Sequence, residues 1–126
     1  MSKILVDTDV LIDYLRGRDE AVALITSTDR TILISSLTVA ELYAGIKGDD
    51  EEKTLEEFLG TLTVISVTSS LAKAAGRYRK QYMKSHSVGL ADAVIAATAM
   101  QEGALLKTLN IKHYPMMEGL QPAYRK

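Results

Sequence analysis

The chain has 126 residues, a size that fits one domain with its own core, residues 1–126, and leaves no room for a second. Apolar side chains make up 47% and charged ones 25%, a globular balance that argues against disorder, and the absence of cysteine excludes disulfides and thiolate metal sites. The net charge of −1 supplies no bulk attraction to nucleic acid, which leaves that role to a local basic patch if there is one.

Met1-Ser-Lys leads straight into a four-residue apolar run that ends at Asp7, far too short for a signal peptide. No later segment has about 18 uninterrupted apolar residues, so a soluble cytoplasmic protein is expected. Lys3-Ile-Leu-Val6 reads as a buried strand, and Val10, Leu11, Tyr14 and Leu15 then recur at helical spacing up to a stop at Gly17. Asp19 can cap a second helix through Ile25. Thr31-Ile-Leu-Ile34 is the next strand. A helix beginning at Ser36 or Thr38 carries the stripe Val39, Leu42, Tyr43 and Ile46 and is closed by Gly48. The acidic run Asp49-Asp-Glu-Glu52 suits the first turn of a helix to about Leu59, because the helix dipole favours negative charge there. Thr63-Val-Ile-Ser-Val67 is a third strand, followed by a long helix from about Ser70 to Lys84 and another starting near Leu90. Ala104-Leu-Leu-Lys107 is the last strand, with an irregular tail after Asn110. Short apolar strands alternating with helices predict an α/β fold with a mainly parallel sheet, whose crevice lies at the carboxyl ends of the strands.

Three carboxylates stand out in that frame. Asp92 is the only charged side chain between Val88 and Gln101, on a helix apolar around most of its circumference, where an unpaired charge is expensive. Asp7 follows the first strand directly. It fits a helix cap, yet Asp9 and Asp13 crowd the same segment, and those two share a helix face where like charges repel. Glu41 fits a capping box with Thr38 and also lies off its helix's apolar stripe, which is compatible with solvent exposure. Acids from three helix starts, brought to one end of a parallel sheet, must protonate or bind a cation. A ligand set of oxygens alone suits Mg²⁺ or Mn²⁺ rather than Zn²⁺.

Four segments carry a resemblance. Ile4-Leu-Val-Asp-Thr-Asp-Val-Leu-Ile-Asp-Tyr-Leu-Arg16 resembles the opening motif of PIN-domain ribonucleases, and Ser35-Ser-Leu-Thr-Val-Ala-Glu-Leu-Tyr-Ala-Gly45 is similar to their second. Gly89-Leu-Ala-Asp-Ala-Val-Ile-Ala-Ala-Thr-Ala99 resembles the third, and Leu106-Lys-Thr-Leu-Asn-Ile-Lys-His-Tyr114 the fourth. The motifs run in order over nearly the whole chain, and Asp-Tyr-Leu-Arg-Gly looks most like VapC toxins of type II toxin–antitoxin pairs.

The resemblance implies a PIN-like three-layer α/β/α sandwich with about four or five strands. It implies Asp7, Glu41 and Asp92 as the catalytic acids holding Mg²⁺ or Mn²⁺ for endonucleolytic hydrolysis of RNA. Thr8 and Thr108 are implied as hydroxyls that support the ligands or position substrate. The fourth motif departs from the fully acidic pattern: Asn110 and His113 stand where Asp is frequent. Asn110 can still orient a water, and Asp9, where Ser or Asn is frequent, restores some of the lost charge. Helices such as those from Asp19 and Glu51 are implied to form the groove for a small VapB-like antitoxin, and a homodimer is implied as well.

Lys73, Arg77, Lys80 and Lys84 recur every three or four residues, which makes either a solvated face or a track for RNA phosphates. His86 and His113 are isolated, with loop or surface roles expected, and no phosphate-binding glycine loop is present. The competing reading is a catalytically weak PIN domain serving as an RNA-binding or protein-interaction module, motivated by Asn110. A metal-dependent DNA nuclease is a third.

Overall fold

A computed structural model of the chain describes residues 2–86 and 88–125, apart from the side chain at position 86, so the expectation for His86 lies outside what is described. The element order is β1 (Lys3–Val6), α1 (Thr8–Leu15), α2 (Asp19–Ser27), β2 (Thr31–Ser35), α3 (Ser36–Gly45), α4 (Asp49–Leu59), β3 (Thr63–Ile65), α5 (Ser69–His86), α6 (Leu90–Glu102) and β4 (Leu105–Lys107), then a 3₁₀ turn at Ile111–His113.

Alternation along β1 explains the layers. Ile4 and Val6 point to one face of the sheet, where they pack with Val10, Leu11, Ile25, Leu42 and Leu55 from α1 to α4. Leu5 points to the other face and meets Ile95, Ala96 and Ala99 of α6. A strand buried on both sides must be apolar at every position, which is why β1 reads as an unbroken run. Helices therefore cover both faces of the sheet, and the α/β/α sandwich expected from the resemblance is what forms. No helix among the described residues is long and apolar enough to cross a membrane.

The sheet has four strands, all parallel, in the order β3-β2-β1-β4. From β1 the chain moves outward through β2 to β3, then returns across the sheet to place β4 on the free side of β1. The order reverses between β1 and β4, and crevices open at such switch points beyond the strands' carboxyl ends. The last rung there is the Asp7 amide donating to the Lys107 carbonyl at 2.9 Å.

Several boundaries differ from expectation for local reasons. Helix α3 is capped by Ser35, whose hydroxyl accepts from the Leu37 amide, so Thr38 lies inside the helix and the Thr38–Glu41 capping box does not form. The helix ends at Gly45 rather than at Gly48. Asp19 is the first residue of α2 and Arg18 the cap position, so Asp19 acts on the dipole and not as a cap. Strand β3 stops at Ile65, and the Val67 amide donates instead to the Ser36 hydroxyl at 3.1 Å. Helix α6 is buried continuously from Ala93 to Ala99, and Gly103 ends it at φ 60°, a left-handed conformation that glycine adopts without steric cost.

Candidate active site

Six of the residues singled out in the sequence line one cavity of about 170 Å³ at the carboxyl edge of the sheet: Asp7, Thr8, Asp9, Glu41, Asp92 and Asn110. Asp7 arrives at the end of β1, Glu41 from the middle of α3, Asp92 from the first turn of α6, and Asn110 from the turn after β4. Thr108 sits behind the cavity, fully buried.

Asp7 is a helix cap and a cavity wall at once. One carboxylate oxygen accepts from the Thr8 amide at 2.8 Å. The other accepts from the Thr108 hydroxyl at 2.8 Å and the Tyr114 hydroxyl at 2.6 Å. Glu41, exposed toward the cavity, accepts from the Thr8 hydroxyl at 2.7 Å. Because that proton is committed, the buried Thr38 hydroxyl, 3.1 Å from Thr8, is left to donate to it. The three form a directed chain that ends on the carboxylate.

Asp9 faces the turn after β4. Its outer oxygen accepts from the Leu109 amide and the Asn110 side-chain nitrogen, both at 3.1 Å, and from Thr108 at 3.4 Å. Burial, and then the neighbouring Asp7 charge, push its carboxyl up to about 6 despite those bonds. Asp13 has partners of its own. It accepts from the Tyr124 hydroxyl at 2.7 Å and lies 4.0 Å from the Arg18 guanidinium, so the expected repulsion with Asp9 is answered by separate partners.

Asp92 is held on both oxygens. One lies 3.3 Å from the Tyr114 hydroxyl and the other 3.2 Å from His113 Nδ1. Burial and then Asp7 raise its pKa above the ordinary carboxylate value, while His113 opposes the rise. His113 is exposed in the 3₁₀ turn, as expected, and the turn also brings it onto Asp92. Tyr114, which ends the fourth motif, is almost fully buried. Burial and the Asp7 charge keep its phenol well above the usual tyrosine range, which leaves it a permanent donor. Nothing periodic in segment 108–114 announces either role, because both depend on β4 returning beside β1.

Among the described residues no three Asp, Glu or His side chains already form a ready-made metal-binding group. The donor set nevertheless suits a hard divalent ion, since four carboxylates face one cavity, and burial and then the Asp7 charge raise the proton affinity of Asp9 and Asp92. Their partners are neutral hydroxyls and amides, with His113 the one imidazole described within ion-pair distance of any of the four. Lys73, Arg77, Lys80 and Lys84 are exposed on α5, and none of them lines the cavity.

A larger groove of about 490 Å³ runs between α1, α3 and α4, lined by Ile12, Leu15, Leu42, Ile46 and Leu55, and meets the acidic cavity at Glu41. Helix α2 does not line it; Ala21 and Ile25 are buried in the core.

Residues 4–114 match the family model described as PIN domain. The chain is 39% identical over 126 residues to Ribonuclease VapC10 of Mycobacterium tuberculosis, spanning 96% of this chain and 92% of that one. It is 36% identical over 124 residues to Ribonuclease VapC19 of the same organism, spanning 95% and 98%. Its fold superposes on a chain of a toxin–antitoxin complex from Klebsiella pneumoniae with a TM-score of 0.85 at 28% identity, covering 98% of this chain and 99% of that one. It also superposes on a chain of VapBC2 from Rickettsia felis bound to a promoter DNA fragment, with a TM-score of 0.76 at 25% identity and coverage of 94% and 95%.

Proposed function

This chain belongs to the PIN-domain family, and from that premise we propose that it is a metal-dependent endoribonuclease, the toxin of a VapBC-type toxin–antitoxin pair. The observation that carries the reading is the convergence of Asp7, Glu41 and Asp92, from three separate elements, on one cavity at the switch point of the sheet.

Asp7, Glu41 and Asp92 are the groups that hold Mg²⁺ or Mn²⁺. When bound, such an ion polarises a phosphodiester and lowers the pKa of a water aligned for in-line attack. The protein's own part is to fix the acids before substrate arrives. Thr8 orients Glu41, Thr108 and Tyr114 orient Asp7, and His113 orients Asp92. Asn110 commits its side-chain nitrogen to Asp9 and keeps its amide oxygen for orienting a water. Asp9 brings the fourth negative charge from α1, where Asn110 brings none. The apolar groove beside Glu41 gives the antitoxin a surface from which to cover the cavity mouth.

Purified protein incubated with RNA should cleave it in Mg²⁺ or Mn²⁺ and stop when EDTA removes the ion. Cleavage that persists in EDTA sinks the metal assignment. Binding of RNA without cleavage in either metal favours the interaction module instead.

The basic stripe on α5 is the proposed track for RNA phosphates. Reversing Lys80 and Lys84 to Glu should weaken binding and flatten the slope of log affinity against log salt by about 1.4, for two contacts on a single strand. An unchanged slope assigns the stripe to solvent.

A further inference from the structure

Segment 108–114 has no acid of its own, yet it touches three of the four carboxylates at the cavity. Thr108 binds Asp7 and Asp9, and Leu109 and Asn110 bind Asp9. His113 pairs with Asp92, and Tyr114 reaches both Asp7 and Asp92. Within this set Tyr114 is distinctive. Its ring is locked in the core against Leu5, Ile95 and Leu106, so the hydroxyl has a fixed position. A phenol has one proton, and here the contact to Asp7 is 2.6 Å while that to Asp92 is 3.3 Å. The oxygen therefore stands between two acids that arrive from different elements, the end of β1 and the first turn of α6, and that repel each other.

We propose that the Tyr114 hydroxyl is a positioning group that sets the spacing of Asp7 and Asp92, with segment 108–114 acting as the frame of an acidic site to which it adds no charge. The proposal rests on the reading that this cavity takes a divalent ion. Without the hydroxyl, Asp7 keeps Thr8 and Thr108, and Asp92 keeps His113, so each acid stays bonded but nothing spans the pair. The ring itself fills the core in either case. Tyr114→Phe therefore separates positioning from packing.

The test compares wild type, Tyr114→Phe and Tyr124→Phe. The last is a control that removes another tyrosine–carboxylate bond, to Asp13, away from the cavity. Mn²⁺ affinity is measured by calorimetry on the full chain without RNA, and kcat and KM for RNA are measured alongside. In Tyr114→Phe, Mn²⁺ affinity should fall about tenfold, as when a partner that orients a ligand is lost, with kcat reduced and KM for RNA nearly unchanged. Tyr124→Phe should match wild type in both. Mn²⁺ binding that is unchanged or tighter in Tyr114→Phe overturns the proposal, as does an equal loss in both variants. If wild type itself binds no Mn²⁺, the metal reading fails and the proposal fails with it. If wild type binds Mn²⁺ without cleaving RNA, the ribonuclease reading fails while the calorimetric comparison still decides the role of Tyr114.

Discussion

Asp92→Ala is expected to lower RNA cleavage by roughly a thousandfold, about 4 kcal/mol of barrier, while the thermal midpoint stays level or rises. The activity loss follows from removing one of three acids proposed to hold the ion; Asn110 adds no charge, and the fourth acid, Asp9, is bonded to Leu109 and Asn110. The stability expectation comes from the electrostatics. Burial and the charges of Asp7 and Glu41 disfavour the ionised form of Asp92 in the folded state, so at neutral pH the fold gains little by keeping it. Two contacts are lost. The His113 pair is half exposed and contributes little, and the Tyr114 hydroxyl keeps its shorter bond to Asp7. Alanine also suits a helix that is buried without interruption immediately after this position. Cleavage assays paired with thermal melts check both halves. Near-wild-type cleavage would mean that the site lies elsewhere, and a large drop in melting temperature would mean that Asp92 is structural.

Asp7→Ala should also remove cleavage, but with a stability cost of about 2–4 kcal/mol. This carboxylate caps α1 and accepts two buried hydroxyls, so alanine strands the Thr8 amide and leaves Thr108 and Tyr114 only their longer contacts to Asp9 and Asp92. Asp7→Asn should separate the two effects. Its carbonyl can still cap the helix and its amide can donate to the hydroxyl oxygens, so stability returns in large part while the charge is gone. Denaturant titration of the two variants, alongside cleavage, tests this. Equal stability of Asp7→Ala and wild type would refute the dual role.

Much of the frame was legible because it is local. The unbroken run from Ile4 to Val6, the acidic first turn of α4 and the apolar stretch around Asp92 each follow from one element's own needs. Degenerate local signals failed. Ser35, Ser36 and Thr38 are all competent caps, and only the end of β2 selects Ser35. Glu41 suited a capping box in the sequence, whereas its hydroxyl partner, Thr8, lies 33 residues away on α1. His113 and Tyr114 were the least legible. They sit in a segment without periodicity, and their partners are supplied by α6 and β1 through strand order. The α5 stripe was legible as a pattern, yet exposure alone assigns it no task.

The return of β4 to the side of β1 also has a meaning in time. Asp7 is made before Thr108, which holds it from 101 positions further along the chain. Tyr114 and His113 follow later still. A growing chain can therefore pair Thr8 with Glu41 and Asp7 while Asp7 still lacks Thr108 and Tyr114, and Asp92 still lacks His113. In the proposed ribonuclease, the framing of these acids therefore waits on the docking of β4.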